Sequence, residues 1–419
     1  MALLDRISPG TDIESDDSSF QTSPADSILP LQPRNNHRYK FFTRRIRLRA
    51  RDESPKLLTR KLVRSAVIVL FITALAVVTW LALVLTVANR LRIPIPNNGL
   101  QQILRTYGAP NTTSPADPTW LEGFSEDILP VPCHSHNDYW HRVPLYEGLA
   151  AGCVSTEADI WIGNLPDGQA DLFIGHNSKS LTQSRTLRSL YLDPLKDILS
   201  HQQLNMSASL DTSAKAQQTL LDTTSPVGVF SMSPNTSLVL LLDFKTNGEE
   251  TWPTVLAQLD DLRSQGWLTT WTPTEGIVQR PLTIVASGDA PFNSIIANDT
   301  YRDIFYDAPL TNLTIDTPYN TNNSYYASTS LSKAIGRVGS WKLGAGQKAT
   351  ITSQVQRAKE LDLKSRYWDT PAWPVGWRNR VWENLMELSA EVLNVDDLIA
   401  AARWDWQMCV VAGVNICNS

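Results

Sequence analysis

The chain has 419 residues, and 42% of them are hydrophobic, so it can form one large packed domain with additional segments. Its net charge of −5 argues against a nucleic-acid-binding protein. The charge is unevenly distributed, because twelve Lys and Arg side chains crowd residues 34–64 and leave the remainder of the chain acidic.

The N-terminal part predicts a membrane anchor. Residues 1–65 predict a cytoplasmic segment that is disordered and, in its second half, basic. Residues 66–88 are apolar without a single charge, which matches the roughly 20 residues that a transmembrane helix needs. A cleaved signal peptide is disfavoured because its apolar core would be shorter and nearer the N-terminus. A buried core helix is disfavoured because such helices seldom stay apolar all round for this length.

The flanks of the predicted helix indicate its orientation. Only Arg90 and Arg92 follow it closely, whereas the basic run precedes it, so the N-terminus is expected in the cytoplasm. We therefore predict a single-pass type II membrane protein of the endomembrane or secretory pathway, with its C-terminal domain lumenal or extracellular. Six N-glycosylation sequons lie beyond the helix and agree with this topology: Asn111, Asn205, Asn235, Asn298, Asn312 and Asn322.

Cysteine usage agrees with an oxidising compartment. All four cysteines, Cys133, Cys153, Cys409 and Cys417, lie on the predicted lumenal side. They allow three pairings, and reduced core thiols are the alternative. We predict at least one disulfide and favour Cys409 with Cys417, because only a short loop separates them.

The remainder of the chain divides into a stalk and a barrel. Residues 89–127 are rich in Pro and Asn and predict a stalk or linker, with a short helix near Gln101–Arg105. In residues 128–419, strand-like apolar runs alternate with helical patterns. This alternation, at this length, favours a (β/α)8 TIM-type barrel over an open doubly wound sheet, with the active site at the carboxyl ends of the strands.

Polar side chains of particular types fall at these predicted strand ends. Glu157 and Asp159 are spaced i, i+2, which places both carboxylates on one face of a strand and suits a hard divalent cation such as Mg²⁺ or Ca²⁺. His136 and His176 are positioned to exchange a proton with a substrate. Together these residues suggest metal-assisted cleavage of a phosphodiester. The apolar run 238–242 adds Asp243 and Lys245 at its own end.

The motifs HSHNDYW, STEADIW and FIGHN resemble those of the phospholipase C-like phosphodiesterases, which include the glycerophosphodiester phosphodiesterases. Within that superfamily, residues 128–410 resemble most the fungal altered inheritance of mitochondria protein 6 family. The resemblance implies that His136 and His176 are the acid/base catalysts and that Lys245 binds the phosphate. It also implies the ligands of a divalent cation, which are Asn137, Glu157, Asp159 and Asp243.

Two other functions are open to this sequence. The pair His134 and His136 could begin a binuclear metallohydrolase site, but such sites need histidines on later strands, and no histidine follows His201. A membrane-anchored lumenal barrel without catalysis, acting as a binding or structural module, is the other alternative. It is favoured by the absence of the His-Arg-Gly start of glycerophosphodiesterases. The substrate class stays open among glycerophosphodiesters, phospholipids and glycan-linked phosphates.

Overall fold

The computed structural model describes residues 55–91, 98–106, 123–212, 226–338, 342–403, 410–411 and 414–415. Most of the segment predicted to be disordered, and both Cys409 and Cys417, lie outside these ranges. The division of the chain into segments at residues 65, 88 and 127 stays a prediction.

One helix is long and apolar enough to cross a membrane. Helix α1, Pro55–Leu91, contains a candidate span at Lys56–Val87, and the predicted span 66–88 falls almost entirely within it. No part of the candidate span is buried among the residues that the structure describes, and its large apolar side chains are exposed. An apolar surface on every side of a helix suits a hydrocarbon environment. This helix can therefore serve as a membrane anchor.

The main domain is a closed barrel of eight parallel strands with helices, as predicted. Each strand pairs with the next along the chain, and the eighth pairs with the first. The strands are β1 Val131–Ser135, β2 Cys153–Asn164, β3 Leu238–Phe244, β4 Leu282–Gly288, β5 Ile304–Pro309, β6 Ser324–Ser330, β7 Lys364–Trp368 and β8 Val392–Val395.

Helices and short hairpins complete the domain. The helices are α2 Gly99–Thr106, α3 Tyr146–Ala150, α4 Asp193–Thr212, α5 Gly248–Gln258, α6 Asp260–Ser264, α7 Phe292–Ile296, α8 Leu331–Ile335, α9 Ala345–Glu360, α10 Val375–Glu387 and α11 Leu398–Arg403. Strand Ala170–Ile174 pairs antiparallel with β2, and shorter hairpins join Thr270–Thr272 to Gly276–Val278 and Val410–Val411 to Val414–Asn415. One-turn helices are Asp138–Trp140, Ser178–Ser180 and Leu310–Asn312, and Arg188–Leu192 is a π-helix.

The two-residue period of a strand determines which side chains enter the barrel. In β3, Leu240 and Leu242 join the core between the sheet and the helices, whereas Val239 and Leu241 belong to a separate cluster inside the barrel. That inner cluster also contains Val285, Tyr326 and Val392. Because Asp243 continues the inward series of β3, its carboxylate lies above this apolar layer, at the carboxyl end of the barrel.

Part of the predicted stalk packs onto the barrel domain. The short helix expected near Gln101–Arg105 is present as α2, and it buries Leu100 and Ile103 in the core that contains Phe124. The Asn98 side chain donates to Glu126 O at 2.8 Å, and Leu100 N donates to Phe124 O at 2.9 Å. These contacts attach residues 98–104 to the domain.

A disulfide joins β1 to β2 at an irregular place in their pairing. The register passes from Val131 opposite Cys153 to His134 opposite Ser155, so β1 has one extra residue here, and Pro132 has no N–H to donate. Cys133 and Cys153 are bonded across this bulge, with their Cα atoms 4.7 Å apart. The prediction of at least one disulfide is confirmed, while the favoured pair lies outside the described residues.

Replacing Cys133 and Cys153 together with serine should lower the free energy of unfolding of the barrel domain. The bond closes a loop with a sequence separation of 20 residues, for which the loss of chain entropy in the unfolded state amounts to about 3 kcal/mol. Urea unfolding of the full-length protein in detergent, followed by tryptophan fluorescence, measures the change. Reductant should shift the wild-type midpoint toward that of the double variant, and identical midpoints in all samples would contradict the expectation.

Candidate active site

Three carboxylates meet inside the carboxyl end of the barrel. Glu157 and Asp159 come from β2 and Asp243 from β3, with Asp159 and Asp243 opposite each other in the register. One oxygen from each lies within 4.8 Å of the others, and Glu157 and Asp159 are buried. Burial, followed by the neighbouring charge of Glu157, raises the pKa of Asp159 to about 7. Its Oδ1 is buried with no hydrogen-bond partner among the described residues. Oxygen donors with one unsatisfied atom fit a divalent cation.

Lys245 reaches into this cluster from the end of β3. Its Nζ lies 3.2 Å from Asp159 Oδ2 and also donates a hydrogen bond to Asp243 Oδ2. Burial alone would lower the pKa of Lys245, but the two carboxylates raise it above its ordinary value. The side chain is therefore a charged ammonium.

Glu157 is held ionised from the side of β1. Burial would raise its pKa, but the contact with His134 and the charges of His136 and Arg366 hold the pKa well below its usual range. Asn137 N donates to Glu157 Oε2 at 2.9 Å, and His134 Nε2 lies 3.4 Å from the same oxygen. His134 is completely buried, and this burial lowers its pKa to about 4, so it is neutral at pH 7.

His136 forms a pair with a carboxylate from the far end of the chain. Its Nδ1 lies 2.7 Å from Oδ1 of Asp396, which directly follows β8. Its Nε2 lies 3.9 Å from Glu157 Oε2 and thus faces the carboxylate cluster. Burial lowers the pKa of His136, but the hydrogen bond to Asp396 and the charge of Glu157 outweigh this effect and raise it. Asp396 fixes the proton on Nδ1 and leaves Nε2 for proton exchange.

His176 follows the hairpin strand Ala170–Ile174 on the other side of the cluster. Its side chain is half-exposed, and its Nδ1 lies 3.7 Å from Asp159 Oδ2. The same nitrogen lies 3.3 Å from the hydroxyl of Tyr139, and the ring packs against Trp140 with the centroids 4.9 Å apart. His176 is thus oriented by three neighbours and remains accessible from solvent.

Tyr139 connects the two sides of the site. Its hydroxyl lies 2.6 Å from Asn137 Oδ1 and 2.7 Å from Asp159 Oδ2, so its single proton can be donated to either oxygen. Asn137 has a φ of 48°, in the left-handed region, and this turn directs its amide toward the hydroxyl and toward the ring of His136. Tyr139 belongs to the HSHNDYW motif, but sequence reasoning assigned no role to its hydroxyl.

A buried arginine lies inside the barrel near the carboxylates. Arg366, on β7, is 3% exposed and donates to Asp307 Oδ2 at 3.0 Å, to Asn394 Oδ1 at 2.8 Å and to Ser328 Oγ at 2.9 Å. Its charge contributes to the low pKa values of His134 and Glu157. Arg366 therefore offsets part of the negative charge that is buried at this end of the barrel.

The comparisons with known proteins place the chain in a family. Residues 122–307 match the model of the AIM6-like phosphodiesterase domain. A protein of Arthroderma benhamiae named "Altered inheritance of mitochondria protein 6 homolog" is 35% identical over 312 residues, which cover 72% of this chain and 91% of the relative. The chain belongs to the altered inheritance of mitochondria protein 6 family.

Other members of the altered inheritance of mitochondria protein 6 family are similar over a comparable length. The protein of Eremothecium gossypii is 32% identical over 283 residues, covering 65% of this chain and 68% of its own length. That of Saccharomyces cerevisiae is 33% identical over 300 residues, covering 66% and 72% respectively. The resemblance read from the motifs is confirmed.

The structure brings together the seven residues singled out from the sequence. His136, Asn137, Glu157, Asp159, His176, Asp243 and Lys245 all lie at the carboxyl end of the barrel and are joined by the contacts described above. Sequence reasoning missed Asp396 and Arg366. Arg366 lies on β7, and Asp396 directly follows β8. The inward alternation of a strand could have predicted Arg366, and the position after a strand end could have predicted Asp396.

Gly288, at the end of β4, allows Asp243 to take its position. Its φ is +70°, and a Cβ on this residue would lie 2.0 Å from Asp243 Oδ1. A side chain is therefore excluded here both by the backbone conformation and by the neighbouring carboxylate. The sequence gives no sign of this requirement beyond the glycine itself.

Gly288→Ala should displace Asp243 and weaken the binding of divalent cations by about tenfold or more, since one oxygen ligand would move by an atomic diameter. Calorimetric titration with Mg²⁺ or Ca²⁺ measures this change. Gly346→Ala is the matched control, because a Cβ there meets nothing within 4 Å. Equal affinity in Gly288→Ala and the wild type would show that Asp243 is not a ligand.

Proposed function

We propose that this protein is a membrane-anchored phosphoric diester hydrolase that depends on a divalent metal ion and on two histidines. The observation that carries the proposal is the carboxylate cluster of the barrel mouth, which has His136 on one side and His176 on the other. Membership in a family with an AIM6-like phosphodiesterase domain supports the same reaction class.

Glu157, Asp159 and Asp243 would hold the cation, together with the Asn137 amide. All are oxygen ligands, which favours Mg²⁺ or Ca²⁺ over metals that prefer nitrogen or sulfur. When bound, such an ion neutralises phosphate charge and lowers the pKa of a hydroxyl group near it. The buried, unpartnered Oδ1 of Asp159 supports a ligand role for that residue.

The histidines move the protons of the reaction. One takes the proton of the attacking hydroxyl group, and the other protonates the alkoxide that leaves the phosphorus. His136 exchanges its proton at Nε2, because Asp396 occupies Nδ1. His176 likewise presents Nε2 to the substrate, because Tyr139 and Asp159 face its Nδ1. Lys245 would bind a phosphate oxygen of a glycerophosphodiester or a phospholipid.

A non-catalytic barrel that acts as a binding or structural module is the second candidate. The observation that favours it is the ammonium of Lys245, which already pairs with two of the three carboxylates. A cation supplied permanently by the protein would make a metal ion unnecessary.

Variants at the two kinds of site residue should behave differently. His136→Gln or His176→Gln should lower kcat on the order of 10²-fold or more while metal affinity stays near that of the wild type. Glu157→Gln or Asp159→Asn should abolish both metal binding and activity, because each removes a charged ligand. The assay compares glycerophosphodiester and phospholipid substrates with and without chelator.

His201→Gln is the matched control, because His201 lies on helix α4, where its Nδ1 is 2.8 Å from Asp197 O. A chelator-sensitive activity that both site-histidine variants retain in full would contradict the mechanism. If no phosphodiester is hydrolysed and no divalent cation binds, the non-catalytic function replaces this one.

We further propose that the barrel faces the lumen or the exterior. The basic residues that precede the apolar stretch 66–88, the disulfide Cys133–Cys153 and the sequons support this orientation. Four sequon asparagines are exposed and could carry a glycan: Asn235, Asn298, Asn312 and Asn322. The partners proposed are then a membrane, through one transmembrane helix, and a phosphodiester substrate; no nucleic acid is expected.

Endoglycosidase treatment of the protein from its native host should increase its mobility on a denaturing gel, because glycans reach only the lumenal side. Changing the four exposed asparagines to glutamine should remove most of that shift. The same variant, untreated, should migrate like the treated wild type. A wild-type band that does not move after treatment would count heavily against the lumenal orientation.

A further inference from the structure

Lys245 already lies among the oxygens that are proposed to hold the cation. Its ammonium contacts Oδ2 of Asp159 and Oδ2 of Asp243, two of the three members of the cluster. The backbone is fixed at this position, because Lys245 N donates to Ile160 O at 3.0 Å. The ammonium thus supplies one positive charge to a pair of carboxylates that share one site.

The single positive charge of Lys245 neither balances the negative charge of the cluster nor bonds all of its oxygens. Oδ1 of Asp159 stays buried and without a hydrogen-bond partner among the described residues, although Lys245 and Tyr139 both contact Oδ2. Glu157 adds a third carboxylate to the cluster, and in the described part of the chain Lys245 pairs with Asp159 and Asp243 but not with Glu157. The cluster therefore retains an unbonded oxygen and an excess of negative charge while the lysine is in place.

Lys245 is able to leave. Its side chain is 27% exposed, and a lysine has four methylene groups that can carry the ammonium to a new position. Two other basic side chains near the cluster are constrained. Arg366 is 3% exposed and bonded to Asp307, Asn394 and Ser328, and the ring of His176 packs against Trp140.

We propose that Lys245 competes with the divalent cation for Asp159 and Asp243, and that binding of the cation moves the ammonium out to the substrate phosphate. This inference rests on the proposed function and assigns Lys245 a second role in it, that of a specificity residue for the cation. A monovalent cation would replace the single positive charge of the ammonium with another single charge, so the net charge of the site would not change. A divalent ion adds a charge, satisfies Asp159 Oδ1 and frees the lysine for the phosphate.

Competition has a consequence that a purely supporting lysine would not have. If the ammonium must be displaced, removing it should tighten the binding of the cation, because the carboxylates are then free. The cation also makes Lys245 available and so strengthens phosphate binding, and linkage requires that phosphate strengthens cation binding by the same factor. Coupling of this kind changes affinities by about 5- to 150-fold.

The test uses the full-length protein in detergent and titrates it calorimetrically with Mg²⁺ or Ca²⁺ alone, followed by inorganic phosphate. Lys245→Met keeps an apolar side chain without the charge, and Lys245→Arg keeps the charge. Lys333→Met, at an exposed position in α8, is the matched control. We expect Lys245→Met to bind the cation about tenfold tighter or more, and to show a smaller increase in phosphate affinity on cation binding than the wild type does.

Lys245→Arg and Lys333→Met should bind the cation no more tightly than the wild type does. Equal or weaker cation binding by Lys245→Met, in a protein that melts at the wild-type temperature, would overturn the competition and leave the proposed hydrolase intact. If Lys245→Met does not fold, Lys245→Arg tests the proposal instead. Tighter cation binding by Lys245→Arg would then overturn the competition, and weaker cation binding would support it.

Two outcomes would overturn the proposed function as well. If Lys245→Met binds the cation and the wild type does not, the lysine is a permanent replacement for the metal. If neither protein binds a divalent cation, the carboxylates do not form a metal site. Both results differ from a failure of the competition alone, in which the wild type does bind the cation.

Discussion

The burial of three carboxylates at one end of the barrel is the constraint on which the rest of the site depends. Carboxylates that share a dehydrated space repel each other, and each loses the solvation it has in water. The neighbours of the cluster offset this cost in different ways. Arg366 supplies a buried charge, Lys245 a partly exposed one, and Tyr139 a hydrogen bond. The three carboxylates of this cluster could hold a metal ion.

The closed barrel determines where the three carboxylates lie relative to one another. Inward alternation on β2 aligns Glu157 with Asp159, and the register between β2 and β3 adds Asp243 beside them. The apolar layer of Val239, Leu241, Val285, Tyr326 and Val392 closes the barrel below. The carboxylates therefore face the mouth, where the histidines and the solvent are.

Sequence reasoning succeeded where a signal is local. Apolar runs and their alternation with helical patterns predicted the eight strands, and residue types at strand ends predicted six of the seven clustered side chains. Asn137 came from the family resemblance. It failed where the contact depends on register between distant segments. The bond between Cys133 and Cys153 follows from the pairing of β1 with β2, and the contact of Lys245 with Asp159 follows from that of β2 with β3. The roles of the site residues stay a prediction.

The pair of His136 and Asp396 lies on the seam where the first strand meets the last. His136 N donates to Val395 O at 3.0 Å, so the backbone joins there just as the side chains do. These two residues are 260 positions apart in the chain. The pair therefore cannot form until the eighth strand has been synthesised and the barrel has closed. A fragment that ends with the matched family region at residue 307 lacks β6, β7 and β8. The pair of His136 and Asp396 is thus a property of the finished chain, and proteolytic loss of the last strand would separate its two members.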